Sequence, residues 1–359
     1  MLKLLNITIT QFKNYDFSSF DFEARVAGIC GANGRGKTNL LDAIYYCCFT
    51  RSYFNSSDLA SVGIGLDGFR LQAKFLLNGE PEEVIAVVRQ GARKEFTVNG
   101  VPYEKLSSHL GRLPVVMIAP DDIALVTEGA EFRRKYIDSI LSQLYPEYLQ
   151  QLITYNKLLQ QRNSLLKNYH GNTSNSSLLE ILDDQLCVPA AFIHNKRKQF
   201  TEELFPRVAL FYNFISDHSE PLEIKYESQL LQSEFSSLLA SNRFRDIQSQ
   251  RTNAGIHRDD IGIFMNGKYF RQIASQGQKK SQLFALKLAE FELIREKKGF
   301  APLLLLDDIF EKLDESRMKR LLNRVCAQND GQVFITDTHC ERLGNSLRET
   351  TPEHFIINL

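Results

Sequence analysis

Residues Gly31 to Thr38 read GANGRGKT, and no other stretch restricts the fold of this chain as tightly. The segment fits G-x-x-x-x-G-K-T, a loop whose consecutive backbone N–H groups curl around phosphate oxygens at a helix start. Strand, loop and helix follow here in the required order. Arg25 to Cys30 reads as a strand leading in. Leu40, Leu41, Ile44, Cys47 and Cys48 then recur at helical spacing and make Asn39 to Phe49 an amphipathic helix. Gly31, Gly34 and Gly36 allow the tight turn, and Ala32, Asn33 and Arg35 complete the phosphate cradle. Lys37 is expected to reach the β- and γ-phosphates of ATP, and the Thr38 hydroxyl to ligate Mg²⁺.

Two later segments suit the same nucleotide. Ser275-Gln276-Gly277-Gln278 precedes a helix expected from Gln278 to Lys297, so it forms a second helix N-terminus able to bind phosphate. Leu303 to Leu306 is an unbroken apolar strand ending in Asp307-Asp308. Such a run suits a parallel strand buried on both faces, expected beside the strand that enters the P-loop. Asp307 would hold Mg²⁺ through water, and Asp308 would polarise the attacking water. One chain cannot easily aim two helix starts at one γ-phosphate, but two chains arranged head to tail can. Ser275 and Gln278 are therefore expected to close on ATP bound by a second copy. Of the other Asp pairs, Asp183-Asp184 reads as solvated, while Asp121-Asp122 and Asp259-Asp260 read as caps or turns.

At 359 residues the chain is long enough for two compact units. Its 43 basic and 43 acidic residues cancel, so charge alone does not point to nucleic acid. The six cysteines lack metal-ligand spacing and read as reduced thiols. No apolar run approaches the roughly 20 residues of a membrane helix, and no leader-like segment opens the chain, so a cytoplasmic location with no membrane partner is expected. Leu2 to Ile9, Gly68 to Leu77, Glu83 to Arg89, Lys94 to Val98 and Ile261 to Met265 read as strands, with turns at Asn78-Gly79, Asn99-Gly100 and Asn266-Gly267. From about residue 119 to 245 the texture is helical. The expected architecture is an α/β P-loop ATPase head from 1–118 and 246–359, with a helical insertion at 119–245.

Several segments together resemble the RecF family of bacterial recombination-repair ATPases, which are related to the heads of SMC and ABC-type proteins. Phe12-Lys13-Asn14-Tyr15 resembles its opening F-[RK]-N-[YF], and Pro120-Asp121-Asp122 through Arg133-Arg134 to Asp138 its P-[ED]-x…R-R-x-x-x-D segment. Lys157 to Lys167 resembles its L-x-Q-R-N stretch, and His257-Arg258-Asp259-Asp260 with Ser275 to Gln278 its HRDD and SxGQ pair. Leu306-Asp307-Asp308 through Leu313-Asp314 resembles its Walker B and D-loop. The likeness runs nearly end to end. It departs at Arg35, where a small residue is usual, and at Phe54, where an arginine is common. The resemblance implies an ABC/SMC-type head without a long coiled coil, and slow ATP hydrolysis used as a switch. It further implies an ATP-driven dimer clamp on gapped or single-stranded DNA, partners RecR and RecO, RecA loading and a role in the SOS response.

Asp121 stands where ABC-type ATPases place a γ-phosphate-sensing glutamine, and an N-cap role is equally open. His339, after the strand Gln332 to Thr336, stands where relatives carry a switch histidine. His257 with Asp259 and Asp260 has too few further ligands for a metal centre. Basic clusters occur at Arg133-Arg134-Lys135, at Lys157, Arg162 and Lys167, and at Lys196-Arg197-Lys198. They read as solvated helix faces, since 119–245 holds 13 basic against 16 acidic residues. The competing function is an ABC-type ATPase subunit of a nuclease or transporter complex. Four prolines, Pro146, Pro189, Pro206 and Pro221, interrupt the insertion and rule out a long coiled-coil arm.

Overall fold

The computed structural model describes residues 1–169, 173–216, 221–311, 315–351 and 353–359. It divides into two compact units. The first begins with β1 (Leu2–Phe12), β2 (Tyr15–Asp21) and β3 (Val26–Cys30), then α1 (Lys37–Phe49). There follow β4 (Gly68–Leu77), β5 (Glu80–Arg89), β6 (Glu95–Val98), β7 (Val101–Pro102) and β8 (Val115–Ile118). Six of these form one antiparallel sheet in the order β2-β1-β4-β5-β6-β7. Two of its hairpins close through Asn-Gly pairs with positive φ at both residues, 53° and 91° at Asn78-Gly79 and 51° and 78° at Asn99-Gly100. Those values match the twist of the flanking strands.

The second unit comprises residues 124–209 and 220–274. It holds α2 (Ala124–Thr127), α3 (Ala130–Leu144), α4 (Pro146–Lys167), most of α5 (Thr173–Ser216) and α6 (Phe235–Ser249). It is not all helical. Leu222–Glu227 is a strand, β9, pairing antiparallel with β10 (Asp260–Met265), which in turn pairs with β11 (Lys268–Tyr269); the short α7 (Phe270–Ile273) follows. Leu222-Glu223-Ile224-Lys225-Tyr226-Glu227 alternates apolar and polar residues, which is the strand period. Because β10 pairs with β9, the first unit resumes at Ser275 and not at the expected 246.

The chain returns with α8 (Gln276–Lys298), β12 (Leu303–Leu306), α9 (Glu315–Leu322), β13 (Val333–Asp337), α10 (Cys340–Thr350) and β14 (His354–Asn358). These strands complete a parallel sheet ordered β14-β3-β13-β12-β8. The order corrects one expectation: β12 does not border the P-loop strand β3, because β13 lies between them. All four leucines of β12 are fully buried, each worth about 1.5–3 kcal/mol of burial. Helix α1 is also not amphipathic. Eleven of its thirteen residues are buried, since it packs on strands of both sheets. Among the described residues no helix is long and apolar enough to cross a membrane. The resemblance to a D-loop at Leu313-Asp314 lies outside the described residues.

Candidate functional site

The phosphate loop joins β3 to α1, and its shape follows from its glycines. Gly34 and Gly36 have φ of 82° and 106°, in the left-handed region where only glycine is unstrained. A Cβ at Gly36 would also come within 2.8 Å of the Tyr15 ring. That contact explains the opening motif. Tyr15 donates its hydroxyl to the Gly36 carbonyl at 3.1 Å, and Asn14 donates to the Gly34 carbonyl at 3.1 Å. Asn39 of α1 donates to Asn14 at 2.6 Å, so strand ends and helix grip the loop together. Burial pushes the Tyr15 hydroxyl up to about 12, keeping it a donor. Lys13 is committed elsewhere, ion-paired at 2.7 Å to the fully buried Asp42 of α1.

Lys37 is 7% exposed and folds back, donating to the carbonyls of Gly31 at 2.7 Å and Ala32 at 3.1 Å. Ala32, Asn33, Gly34 and Arg35 are exposed. Thr38 donates to the Asp307 carboxylate at 2.9 Å, joining residues 269 positions apart. The Asp307 carboxylate accepts a second hydroxyl, from Thr336 at 2.8 Å, and the Asp308 N–H donates to that same Thr336 oxygen at 2.8 Å. Thr336 was missed in the sequence. The only signal was a hydroxyl closing the apolar strand Val333-Phe334-Ile335. It can reach both aspartates because β13 lies next to β12.

The oxygens of Thr38 and Asp307 form a donor set suited to a hard divalent cation. Burial raises the Asp307 carboxyl above its ordinary range, against the pull of the Thr336 and Thr38 hydroxyls. A carboxylate in that setting gains most from a cation. Asp308 is held at φ 49°, a conformation unusual outside glycine, and is half-buried. Such strain is concentrated at working sites.

Ser275 is exposed and caps α8 in a reciprocal box with Gln278. Its Oγ accepts the Gln278 N–H at 3.2 Å, and its N–H donates to Gln278 Oε1 at 2.7 Å. The Arg317 guanidinium lies over Gly277, 2.5 Å from where a Cβ would stand. Gln276 and Lys280 line one cavity of about 180 Å³ with Asp307, Pro120 and Phe284. His339 is exposed at the N-cap of α10, its N–H 3.3 Å from buried Asp337, which also takes Arg342 at 2.8 and 2.5 Å. Asp121 is exposed; Asp122 accepts the Ala119 N–H at 2.8 Å and the Tyr53 hydroxyl.

Elsewhere the motif residues neutralise one another. Arg133 pairs with Asp260 at 2.7 Å and Arg197 with Asp259 at 2.8 Å and Asp138 at 2.9 Å. The RR…D and HRDD segments are thus halves of one buried network. Arg162 is fully buried against Asp246 at 2.8 Å and Asp183 at 2.5 Å. Arg133, Arg162 and Arg197 are therefore not on solvated faces, and Asp183 is not solvated, because each lies among partners inside the second unit. Both ring nitrogens of His257 are engaged, by Tyr155 at 2.7 Å and the Thr252 carbonyl at 3.1 Å. The expectation of six reduced thiols also fails, since Cys30 and Cys340 form a disulfide.

Residues 3–351 match the family described as the RecF/RecN/SMC N terminal domain. The protein named DNA replication and repair protein RecF of Flavobacterium johnsoniae is 38% identical over 359 residues, covering 100% of both chains. A solved structure of the recombination mediator protein RecF with ATP, in the RecFOR pathway, superposes with a TM-score of 0.87 at 32% identity. It covers 94% of this chain and 92% of its own. An Smc head domain from Pyrococcus furiosus reaches a TM-score of 0.57 at 16% identity, covering 100% and 93%, a likeness of fold alone.

Proposed function

The chain belongs to the RecF family within the RecF/RecN/SMC N-terminal domain proteins, and from that premise we propose that it is an ATP-switched DNA-binding protein of replication and recombinational repair. Two copies close head to tail over ATP and clamp gapped or single-stranded/double-stranded DNA. Hydrolysis is slow and opens the clamp. RecR and RecO are its partners, RecA loading and the SOS response follow from its action, and its place is the cytoplasm.

The observation that carries this reading is the junction of Thr38, Asp307 and Thr336 at 2.8–3.0 Å, beside a phosphate loop braced from three sides. Mg²⁺ held by Thr38 and Asp307 would offset the charge growing on the β- and γ-phosphate oxygens. On nucleotide binding, Lys37 exchanges two backbone carbonyls for phosphate oxygens. Asp308, fixed through its N–H to Thr336, orients the attacking water. Its carboxylate is one methylene shorter than the glutamate common at this position, which suits slow turnover. Ser275 and the first N–H groups of α8 face outward and complete the site of the opposite copy.

Ser275→Arg tests this. The variant should bind ATP as a monomer, because Lys37, Thr38 and Asp307 are intact, yet fail to dimerise or hydrolyse. Lys37→Ala should lose tight ATP binding. Mixing the two should restore at most one working site per heterodimer. Wild-type hydrolysis by Ser275→Arg, or turnover per chain independent of protein concentration, would overturn the head-to-tail site.

A further inference from the structure

Cys30 and Cys340 are 310 residues apart in sequence; Cys30 adjoins Gly31 of the phosphate loop and Cys340 adjoins His339 at the start of α10. Cys30 ends β3 and is fully buried between β13 and β14, paired in register with Asp337 and Asn358; Gly31 follows it. Cys340 begins α10, directly after His339, and is half-buried. Their Cα atoms are 5.2 Å apart, a separation that a disulfide spans without backbone movement.

We propose that Cys30 and Cys340 are a redox modification site, oxidised by peroxide, whose disulfide clasps the phosphate loop to the His339 turn and slows ATP use. The functional consequence rests on the ATP-binding role proposed above. The chemistry balances with peroxide as the named oxidant. The Cys340 thiolate attacks one peroxide oxygen, the O–O bond breaks, and sulfenic acid and water result. Cys30 then attacks the Cys340 sulfur, the S–S bond forms and a second water leaves. Two thiols are oxidised and one peroxide is reduced.

Position makes Cys340 the attacking group. It is the first residue of an eleven-residue helix, where N–H groups favour a thiolate, and solvent reaches it in part. The other cysteines are poor competitors. Cys47, Cys48 and Cys326 are buried, and burial raises all three thiols, that of Cys326 to about 12. Burial raises the half-buried Cys187 as well.

The bridge ties the phosphate loop, which must adjust when nucleotide arrives, to the turn that opens α10. Lys37 has to leave the carbonyls of Gly31 and Ala32. The turn bearing His339 is already anchored by Asp337 to its own N–H and to Arg342. Once linked, the residue before Gly31 and the residue after His339 move only together. Reduced, they adjust separately. In a reducing compartment a bridge of this kind is transient and serves sensing.

The test treats the full chain with hydrogen peroxide or with dithiothreitol and maps its peptides without reduction. Binding of a fluorescent ATP analogue and ATP turnover are then measured on both samples. A Cys30–Cys340 peptide should appear with peroxide, turnover should fall about tenfold, and dithiothreitol should restore both. Cys340→Ser should keep the reduced activity and ignore peroxide. Cys30→Ser, a buried change, serves as a second variant where it folds. Absence of the linked peptide, or equal binding and turnover by linked and reduced protein, overturns the proposal. Loss of ATP-dependent dimerisation with the redox response intact would sink only the clamp reading, because analogue binding is measured on the monomer.

Discussion

In the phosphate loop, Lys37 rests on two backbone carbonyls that a phosphate can replace. In the second unit, Arg162 is wholly buried, and its guanidinium is engaged by Asp183, Asp246 and Thr252. Both cations belong to motifs that stand out in the sequence, but they are held differently. The first is bound weakly enough to be recruited by a ligand. The second is bound by charge-assisted hydrogen bonds to side chains that the fold itself holds in place, Asp246 by Asn253 and Thr252 by Asn163. A polar motif therefore marks a ligand site only where its hydrogen bonds are exchangeable. Elsewhere it marks a place where the fold has neutralised its own charges.

The contrast can be broken at either end. Asp308→Asn should give the largest effect, lowering hydrolysis by about 10²–10⁴-fold while ATP binding persists, so the ATP-bound dimer accumulates. A rapid-quench assay with size-exclusion chromatography reads both; unchanged hydrolysis would move the water-orienting role away from Asp308. Arg162→Ala should do the reverse. It strands the buried Asp246 and should cost about 3–5 kcal/mol of stability, seen as a lower urea midpoint, with nucleotide affinity of the folded protein unchanged. A midpoint shift of only a few tenths of a molar would show that the ion cluster is not what holds those helices.

A smaller effect sharpens the comparison inside the first unit. Glu290 of α8 is fully buried beside Lys287 and Asp122, with Lys287 Nζ 3.7 Å from each. Burial pushes its carboxyl up to about 7, against the pull of Lys287. A raised carboxyl keeps its proton longer in the folded chain than in the unfolded one. The stabilisation is thus complete below the ordinary carboxylate range and is lost as pH rises through about 7. Thermal melts between pH 5 and pH 8 should show a loss on the order of 2 kcal/mol. Glu290→Gln should flatten that slope; an equal slope in the variant would assign it to other groups.

The loop GANGRGKT, the Asn-Gly hairpins, the buried leucine strand and the helix start at Ser275 to Gln278 were all legible in the sequence, because each depends on residues within one turn or one strand. Strand β9 was equally local and was hidden only by the helical texture around it. The rest depended on which distant segments meet. Placing β13 between β3 and β12 gave Thr336 its contact with Asp307, and no spacing in the chain records that order. The burial of Arg133, Arg162 and Arg197, the return of the first unit at Ser275, and the meeting of Cys30 with Cys340 belong to the same class. Backbone geometry and side-chain period act over a few residues and can be read along the chain. Strand order, charge pairing and disulfide reach are set by packing between segments that can lie 310 residues apart and more, and only the folded structure decides them.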